Sequence, residues 1–336
     1  MTIDLPPTET REEGDLVVTV TGGVASSPAR VRPPARPPVR VALVQHRWNP
    51  DPLEHRAALT AAVAVAAGEG ARLVCLQEMT LLPYCAIVEG GPDVVGIAPE
   101  PLPGGPTHAF ASELATTLGI HVHASVFEAA PEVAPLGFNT AIVVAPDGSL
   151  RARTRKLHIP VTAGYYEHQY FAPGDTGYPV VDLAVGGGSD SVLRGGFPTC
   201  WDEWFPEVSR SYSLGGAEVI VYPTAIGSEP DHPGFDTMPL WRQVIVANGI
   251  TAGTFMVVPN RIGSEALAGS AVTFYGSSFI SDPYGRVLVE APRDRPAVLV
   301  ADLDLAQRRD WLDLFPFDRT RRPDTYGGLL APPDVT

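Results

Sequence analysis

The chain has 336 residues, 45% hydrophobic and 18% charged, the balance of a globular protein with ample material for a core. Its formal net charge of -14 argues against nucleic acid or an anionic membrane as partner, because both need clustered cations, and fits an enzyme of small molecules better. The three cysteines, Cys75, Cys85 and Cys200, have no paired or metal-like spacing, no apolar run reaches the roughly 18 residues of a membrane span, and no basic segment precedes an apolar one at the amino terminus, so the expected compartment is the reducing cytoplasm.

Residues 1–38 contain seven prolines, including the tract Arg32-Pro33-Pro34-Ala35-Arg36-Pro37-Pro38, and are predicted to form a mobile extension or an arm lying on the surface. Val17, Val18 and Val20 suggest a short edge strand there, and the globular body is expected from Val39. Residues 39–45 read as a buried strand, 53–67 as an Ala-rich helix ended by Gly68 and Gly70, and 72–77 as a second strand with Glu78 at its carboxyl end. This is a βαβ unit, whose strand ends share a rim where ligands bind, and Cys75 belongs to its core. A Pro/Gly-rich loop over 90–105, a helix over 107–118 and a strand over 120–127 follow. Asp147-Gly148 between apolar runs at 138–145 and 150–155 predicts a hairpin that delivers Lys156 to its end. The loop 157–177 is too aromatic for disorder, with Tyr165, Tyr166, Tyr170 and Phe171 around Glu167.

A strand over 178–183 and the apolar run Ser191-Val192-Leu193 lead to Gly196-Phe197-Pro198-Thr199-Cys200-Trp201-Asp202-Glu203, and a helical pattern leaves over 205–214. Cys200 therefore sits at a strand-to-helix turn, where free backbone N–H groups favour a thiolate, and the expected consequence is alkylation by iodoacetamide below the pH of an ordinary thiol. A strand over 218–223, a helix over 237–252 and strands at 254–258, 273–275, 277–281, 286–290 and 297–301 make a second α/β half. Two such halves predict an α/β fold, a four-layer α-β-β-α sandwich of two stacked mixed sheets flanked by helices. The body spans 39–313. The tail 314–336 has no core pattern of its own and is expected to pack at the interface of a homodimer or larger homo-oligomer.

Glu78, Lys156 and Cys200 each follow an apolar strand and can converge at one rim. Of 24 cationic residues, Lys156 is the one lysine, the only place where a compact ammonium was kept over guanidinium. At this point the chain resembles the nitrilase superfamily of carbon-nitrogen hydrolases, whose Glu-Lys-Cys triad appears as Leu76-Gln77-Glu78, Arg155-Lys156-Leu157-His158-Ile159-Pro160 and Thr199-Cys200-Trp201-Asp202, with Asn139-Thr140-Ala141 before the lysine hairpin. The resemblance runs from about Val39 to Tyr326. It implies Cys200 as nucleophile, Glu78 as general base, Lys156 with the N–H of Trp201 as oxyanion stabiliser, and Glu167 as a second carboxylate orienting the lysine.

Residues 199–207, 222–230, 260–263 and 274–280 are similar to one branch, the N-carbamoylputrescine amidases. That implies a hydrolase of a small ureido compound, most simply N-carbamoylputrescine to putrescine, CO2 and NH3. Tyr84, Tyr165, Tyr166, Glu203, Thr224 and Glu229 are the expected substrate-binding residues, with Glu203 and Glu229 as carboxylates for a distal cation. Residues 239–254 depart from the branch pattern, so an amidase or ureidopropionase-like enzyme for another small amide, and a non-catalytic binding member, stay open. The eight histidines show no ligand spacing and no metal or cofactor is expected. His158 reads as a scaffold residue, and Gly186-Gly187-Gly188 does not open a helix as a phosphate loop would.

Overall fold

The computed structural model describes residues 5–186 and 191–331, so Gly187 and Gly188 of the glycine run lie outside the described residues. The first half of the chain builds one sheet. A hairpin of β1 (Thr8–Glu13) and β2 (Leu16–Val24) precedes β3 (Val39–Gln45), helix α1 (Pro52–Gly68) and β4 (Leu73–Cys75). The short α2 (Pro92–Val95), the two-residue β5 (Glu100–Pro101) and α3 (Pro106–Leu118) lead to β6 (His121–Ala130), β7 (Ala134–Val144) and β8 (Leu150–Arg155).

The second half repeats the plan with β9 (Val180–Ala184), β10 (Val192–Gly196), α4 (Pro206–Leu214), β11 (Val219–Val221), α5 (Met238–Ala252) and β12 (Phe255–Val258). A separate hairpin, β13 (Ile262–Leu267) and β14 (Ser270–Tyr275), stands before β15 (Phe279–Ser281) and β16 (Val287–Glu290). β17 (Ala297–Leu303) returns to the first sheet between β2 and β3, and α6 (Ala306–Leu314) follows.

The sheets run β1-β2-β17-β3-β4-β6-β7-β8, with β5 beside β6, and β16-β15-β12-β11-β10-β9. In each, three parallel strands, β3-β4-β6 and β10-β11-β12, are flanked by antiparallel ones. Side-chain alternation stacks them. On β3, Val41 and Leu43 face a core shared with Val219, Val221 and Val257 of the other sheet, while Ala42 and Val44 pack with Leu59 and Val63 of α1 and Phe110 of α3. On β11, Ile220 turns outward to Val208 and Tyr212 of α4 and Trp241 and Ile245 of α5. The layers are helix, sheet, sheet, helix, as the sequence predicts.

Local signals explain the boundaries. Asp51 caps α1, its side chain accepting the N–H groups of Leu53 and Glu54, with Pro52 at the first helical position. Gly119 ends α3 in the left-handed conformation at φ 66.

Residues 5–38 do more than lie on the surface. The edge strand read over Val17, Val18 and Val20 is nine residues long, pairs in parallel with β17, and buries Val17 and Val18. Its partner β1 is exposed along its whole length, so it carries no apolar alternation for a sequence reading to find.

Candidate active site

Glu78 leaves β4 on a loop whose carbonyl groups converge on one guanidinium. Arg261 is wholly buried and donates from Nη2 to the carbonyl oxygens of Glu78 at 2.9 Å, Met79 at 2.8 Å and Leu82 at 2.9 Å. It also pairs with Glu265, which accepts the N–H of Tyr84 at 2.7 Å. These contacts satisfy a buried, irregular backbone that includes Met79 at φ 48, a left-handed conformation costly for a non-glycine residue.

Lys156 emerges at the end of β8, where its N–H donates to the Asn139 carbonyl at 2.8 Å. The Asn139 side chain donates to Glu78 Oε1 at 2.7 Å, so one residue of β7 sets both the lysine and the glutamate. Lys156 Nζ donates to Glu78 Oε1 at 3.0 Å and to Glu167 Oε1 at 2.7 Å, and Tyr84 donates its hydroxyl to the same Glu167 oxygen at 2.6 Å. All four side chains are buried. Burial alone would discharge the ammonium, but the Glu167 and Glu78 carboxylates outweigh it and hold Lys156 protonated, above its ordinary pKa. Burial pushes the Glu167 carboxyl up, with Lys156 opposing. The Oε2 atoms of Glu78 and Glu167 have no hydrogen-bond partner among the described residues.

Cys200 does not begin the α-helix that the sequence pattern suggests. It opens a separate 3-10 helix, Cys200–Trp204, ahead of α4. A capping box fixes its entry. The Thr199 N–H and hydroxyl both reach Asp202 Oδ2, and Asp202 N–H returns to the Thr199 carbonyl at 3.0 Å. Asp202 also accepts the His158 N–H at 3.1 Å and faces His158 Nδ1 at 2.7 Å, while that ring stacks on Phe205 at 3.7 Å. His158 is thus the scaffold residue expected, tying the lysine loop to the nucleophile turn.

A 3-10 helix has three residues per turn, so residues three apart eclipse. Trp201 and Trp204 share one face, and Glu203 falls on Cys200, with Sγ 4.0 Å from Glu203 Oε1. The N–H of Trp201 lies in the first turn, whose N–H groups have no acceptor inside the helix.

The electrostatics correct one expectation. Burial, then the Glu78 carboxylate, push the Cys200 thiol well above its ordinary value, and Lys156 only partly opposes them. The resting group is a thiol, and easy alkylation below the ordinary thiol pH does not follow.

Cys200, Lys156 and Glu167 line a cavity of about 230 Å³, and Glu78 sits behind Lys156 without lining it. Cys200, Lys156, Glu167 and Tyr84 form one end, and Trp201, Trp204, Tyr165, Pro160, Ile226 and Leu240 form its walls. Thr162, Thr237 and Glu229 complete the lining, and the Thr237 hydroxyl donates to Glu229 Oε1 at 3.2 Å. Of the expected substrate-binding residues, Tyr84, Tyr165 and Glu229 line the cavity. Tyr166, Glu203 and Thr224 do not line the cavity. Tyr166 caps the turn that carries Glu167, and Thr224 bonds Glu203 within the buried interior. The sequence reading passes over Trp204 and Leu240. The three-residue repeat Cys200-Trp201-Asp202-Glu203-Trp204 was the available signal for Trp204. Among the described residues no group of three or more His, Cys, Asp or Glu side chains is placed to hold a metal ion.

The carbon-nitrogen hydrolase family pattern matches residues 40–313. The chain is similar to the N-carbamoylputrescine amidase of Solanum lycopersicum, 36% identical over 297 residues that cover 87% of this chain and 95% of that protein. It is similar to the citrullinase of Francisella tularensis, at 34% identity over 87% of this chain and 98% of that one. Among solved structures it resembles a carbon-nitrogen hydrolase from Helicobacter pylori, with TM-score 0.73 and 29% identity over 88% of this chain and 99% of the other.

Proposed function

The chain belongs to the carbon-nitrogen hydrolase family, and from that premise we propose that it hydrolyses an N-carbamoyl amine carrying a distal cation, with N-carbamoylputrescine as the leading substrate. One observation carries the choice of substrate. Away from the Lys156 cluster, among the described residues the only charged one lining the cavity is Glu229, and no arginine lines it. A carboxylate facing aromatic walls suits an alkyl ammonium, with roughly 0.5 to 2 kcal/mol available from each ring face. An anionic tail would meet Glu229 and find no cation, since Lys156 is already shared by two carboxylates.

In the reaction, Cys200 Sγ attacks the ureido carbon while the Glu78 carboxylate takes the thiol proton. Because burial keeps Cys200 neutral, that transfer belongs to the attack step itself. The Lys156 ammonium and the Trp201 N–H face the charge gathering on the carbonyl oxygen. Glu167 and Tyr84 hold the ammonium in place. Glu78 returns the proton to the departing nitrogen, which leaves as the carbon–nitrogen bond breaks. Water, deprotonated by Glu78, then attacks the carbonyl carbon bound to sulfur, the thiol is restored, and the carbamic acid released falls apart to CO2 and the remaining amine or ammonia.

The citrullinase likeness names a second substrate class, a carbamoyl compound ending in an amino acid. Ammonia release from N-carbamoylputrescine, citrulline and N-carbamoyl-β-alanine separates these readings. The expected order of kcat/KM places the cationic compound first, and a preference for the anionic one overturns the cation reading while leaving the hydrolase.

The homo-oligomer expected from the sequence belongs to this proposal. The tail lies along α4 of its own chain, with Phe317, Tyr326 and Leu329 opposite Arg210 and Leu214 across a cavity of about 630 Å³. Leu314, Phe315, Leu329 and Leu330 stay exposed there, which suits burial against a second copy. Light scattering that reports only monomer at micromolar concentration overturns it. A reducing cytoplasm is proposed on the same footing, supported by three unpaired buried thiols. No helix among the described residues is long and apolar enough to cross a membrane.

A further inference from the structure

Glu203 is wholly buried, and among the described residues its side chain meets only uncharged groups. Trp241 Nε1 donates to Oε1 at 2.8 Å, Cys200 Sγ stands 4.0 Å from the same oxygen, and Thr224 Oγ1 stands 3.2 Å from Oε2. Thr224 Oγ1 also donates to the Tyr222 carbonyl oxygen at 3.0 Å. A hydroxyl has one proton, so the donor that Thr224 offers to Oε2 is shared with Tyr222. Trp241 N–H can only donate, so Oε1 is an acceptor, and Oε2, with no cation and no donor of its own among the described residues, is where a proton relieves the buried charge.

We propose that Glu203 is a neutral carboxylic acid, protonated on Oε2, and that it is a positioning residue for the Cys200 thiol. The proposal rests on Cys200 being the nucleophile but not on any choice of substrate. Burial, which pushes the Glu203 carboxyl well above the usual carboxylate range, agrees with it. The ionisable groups that act on it are Cys200 on its own turn, Glu78 after β4, Lys156 after β8, Tyr222 after β11 and Tyr275 in β14.

The neutral form has a use. The 3-10 turn brings residue 203 onto residue 200, and Oε1 gives Sγ a fixed polar neighbour. An ionised carboxylate in that place would oppose the thiolate that forms during attack. A protonated one adds no charge, and the proton of the thiol is left to Glu78. The backbone of Glu203 is held as well, its carbonyl accepting from Asn248 Nδ2 of α5 at 3.0 Å. Three residues in and just before the segment that departs from the branch pattern, Thr237, Leu240 and Trp241, thus reach the site, two by lining the cavity and one by holding this acid.

Infrared difference spectroscopy on the wild-type protein at pH 7 tests this directly. The expected result is a carboxylic acid carbonyl stretch that shifts when Cys200 is alkylated, because Oε1 then loses its thiol neighbour, and that is missing from Glu203→Gln. No such band, or a band indifferent to alkylation, overturns the proposal without needing any variant to fold. Kinetics supply a second reading. Glu203→Ala is expected to lower kcat by roughly tenfold or more with KM little changed, as misplacement of a reacting atom does, and Glu203→Gln, a neutral isostere with the same donor and acceptor, to restore most of it. A folded Glu203→Gln protein as slow as Glu203→Ala means that charge is required, and the proposal fails.

Discussion

Neighbouring residues at the end of β8 enter two ionic clusters, one centred on a buried carboxylate and the other on a buried ammonium. Arg155 faces Glu128, which also receives Arg153 and the Thr140 hydroxyl, so one carboxylate meets two guanidiniums. Asp175 pairs with the other edge of Arg155 at 2.9 Å, and the guanidinium lies 3.9 Å from the centre of the Phe138 ring. Lys156, one residue later, meets Glu78 and Glu167, so one ammonium serves two carboxylates. Burial pulls the Glu128 carboxyl up, but the hydrogen bonds of Arg155, Arg153 and Thr140 more than offset it and leave it below its ordinary range. Glu167, with its share of a single cation, is left above. Two guanidiniums on one buried carboxylate keep it ionised below the usual carboxylate range. Two carboxylates on one ammonium keep the ammonium charged and leave the Glu78 and Glu167 Oε2 atoms without a hydrogen-bond partner among the described residues.

The sharpest way to break this contrast is to exchange the roles of the two neighbours. Cys200→Ala should abolish turnover with an unchanged circular dichroism spectrum. Lys156→Arg should lower kcat by ~100-fold or more, because a planar fork cannot take the place of a compact donor aimed at the oxyanion. Arg155→Lys should keep kcat within a few-fold and lower the melting temperature instead. A Lys156→Arg enzyme with more than a tenth of the wild-type rate would mean that the composition of the cluster does not govern the chemistry.

The structural cluster is next. Glu128→Gln leaves two guanidiniums facing a neutral amide, and urea unfolding should show a loss of ~3 kcal/mol with little change in kcat. Because the folded state holds Glu128 below its ordinary value, its contribution is complete above the unfolded carboxylate pKa, about 4.3 to 4.5, and disappears as pH falls through the lower folded value.

Histidines should weaken the fold earlier on the acid side. Burial lowers His55 to about 4 and His123 to about 3, and neither His123 nitrogen has a hydrogen-bond partner among the described residues. The unfolded chain, with histidines near 6.5, binds protons that the folded chain refuses. Stability is therefore full above about pH 6.5 and falls below it, by ~1.4 kcal/mol per pH unit for each group until its folded value is reached. Urea midpoints at pH 7.5, 6 and 5 measure this, and His123→Phe should flatten the slope. A midpoint that holds constant from pH 7.5 to 5 would contradict the burial of both rings.

The smallest effect concerns Glu229, which lines the cavity and is partly exposed. Glu229→Gln should reduce kcat/KM for the cationic substrate by about fivefold, the worth of one screened ion pair of ~1 kcal/mol, with kcat retained. A larger loss on the anionic compound than on the cationic one would reverse the proposed polarity of the pocket.

Much of this was legible before any coordinates. Glu78, Lys156 and Cys200 announce themselves as polar residues at the ends of apolar strands, and period-two alternation on β3 and β11 gives the layers. Glu203 and Thr224 were assigned to the substrate because a motif gives neighbourhood and not direction. An α-helix starting at Cys200 would turn residue 203 by 300°, and the three-residue turn brings it full circle onto the nucleophile. The β13-β14 hairpin was read only in its second strand, since it turns at Ala268 and Gly269, and an alanine at φ 46 offers none of the Asn-Gly or Asp-Gly chemistry that marks such turns. Helix α6, with charged residues at four of its nine positions, has too narrow an apolar face to declare itself.

The burial of a unique lysine has a practical consequence. A lysine-specific endoproteinase finds one bond to cut in the entire chain, Lys156–Leu157, and an amine-reactive ester finds one side chain to label. In the folded protein that side chain is sealed inside the reaction centre. Cleavage therefore counts only molecules whose centre has come apart, each yielding the same two fragments. With closing faster than cutting, the rate reports the free energy of that opening, a clock for the integrity of the catalytic cluster that requires no substrate at all.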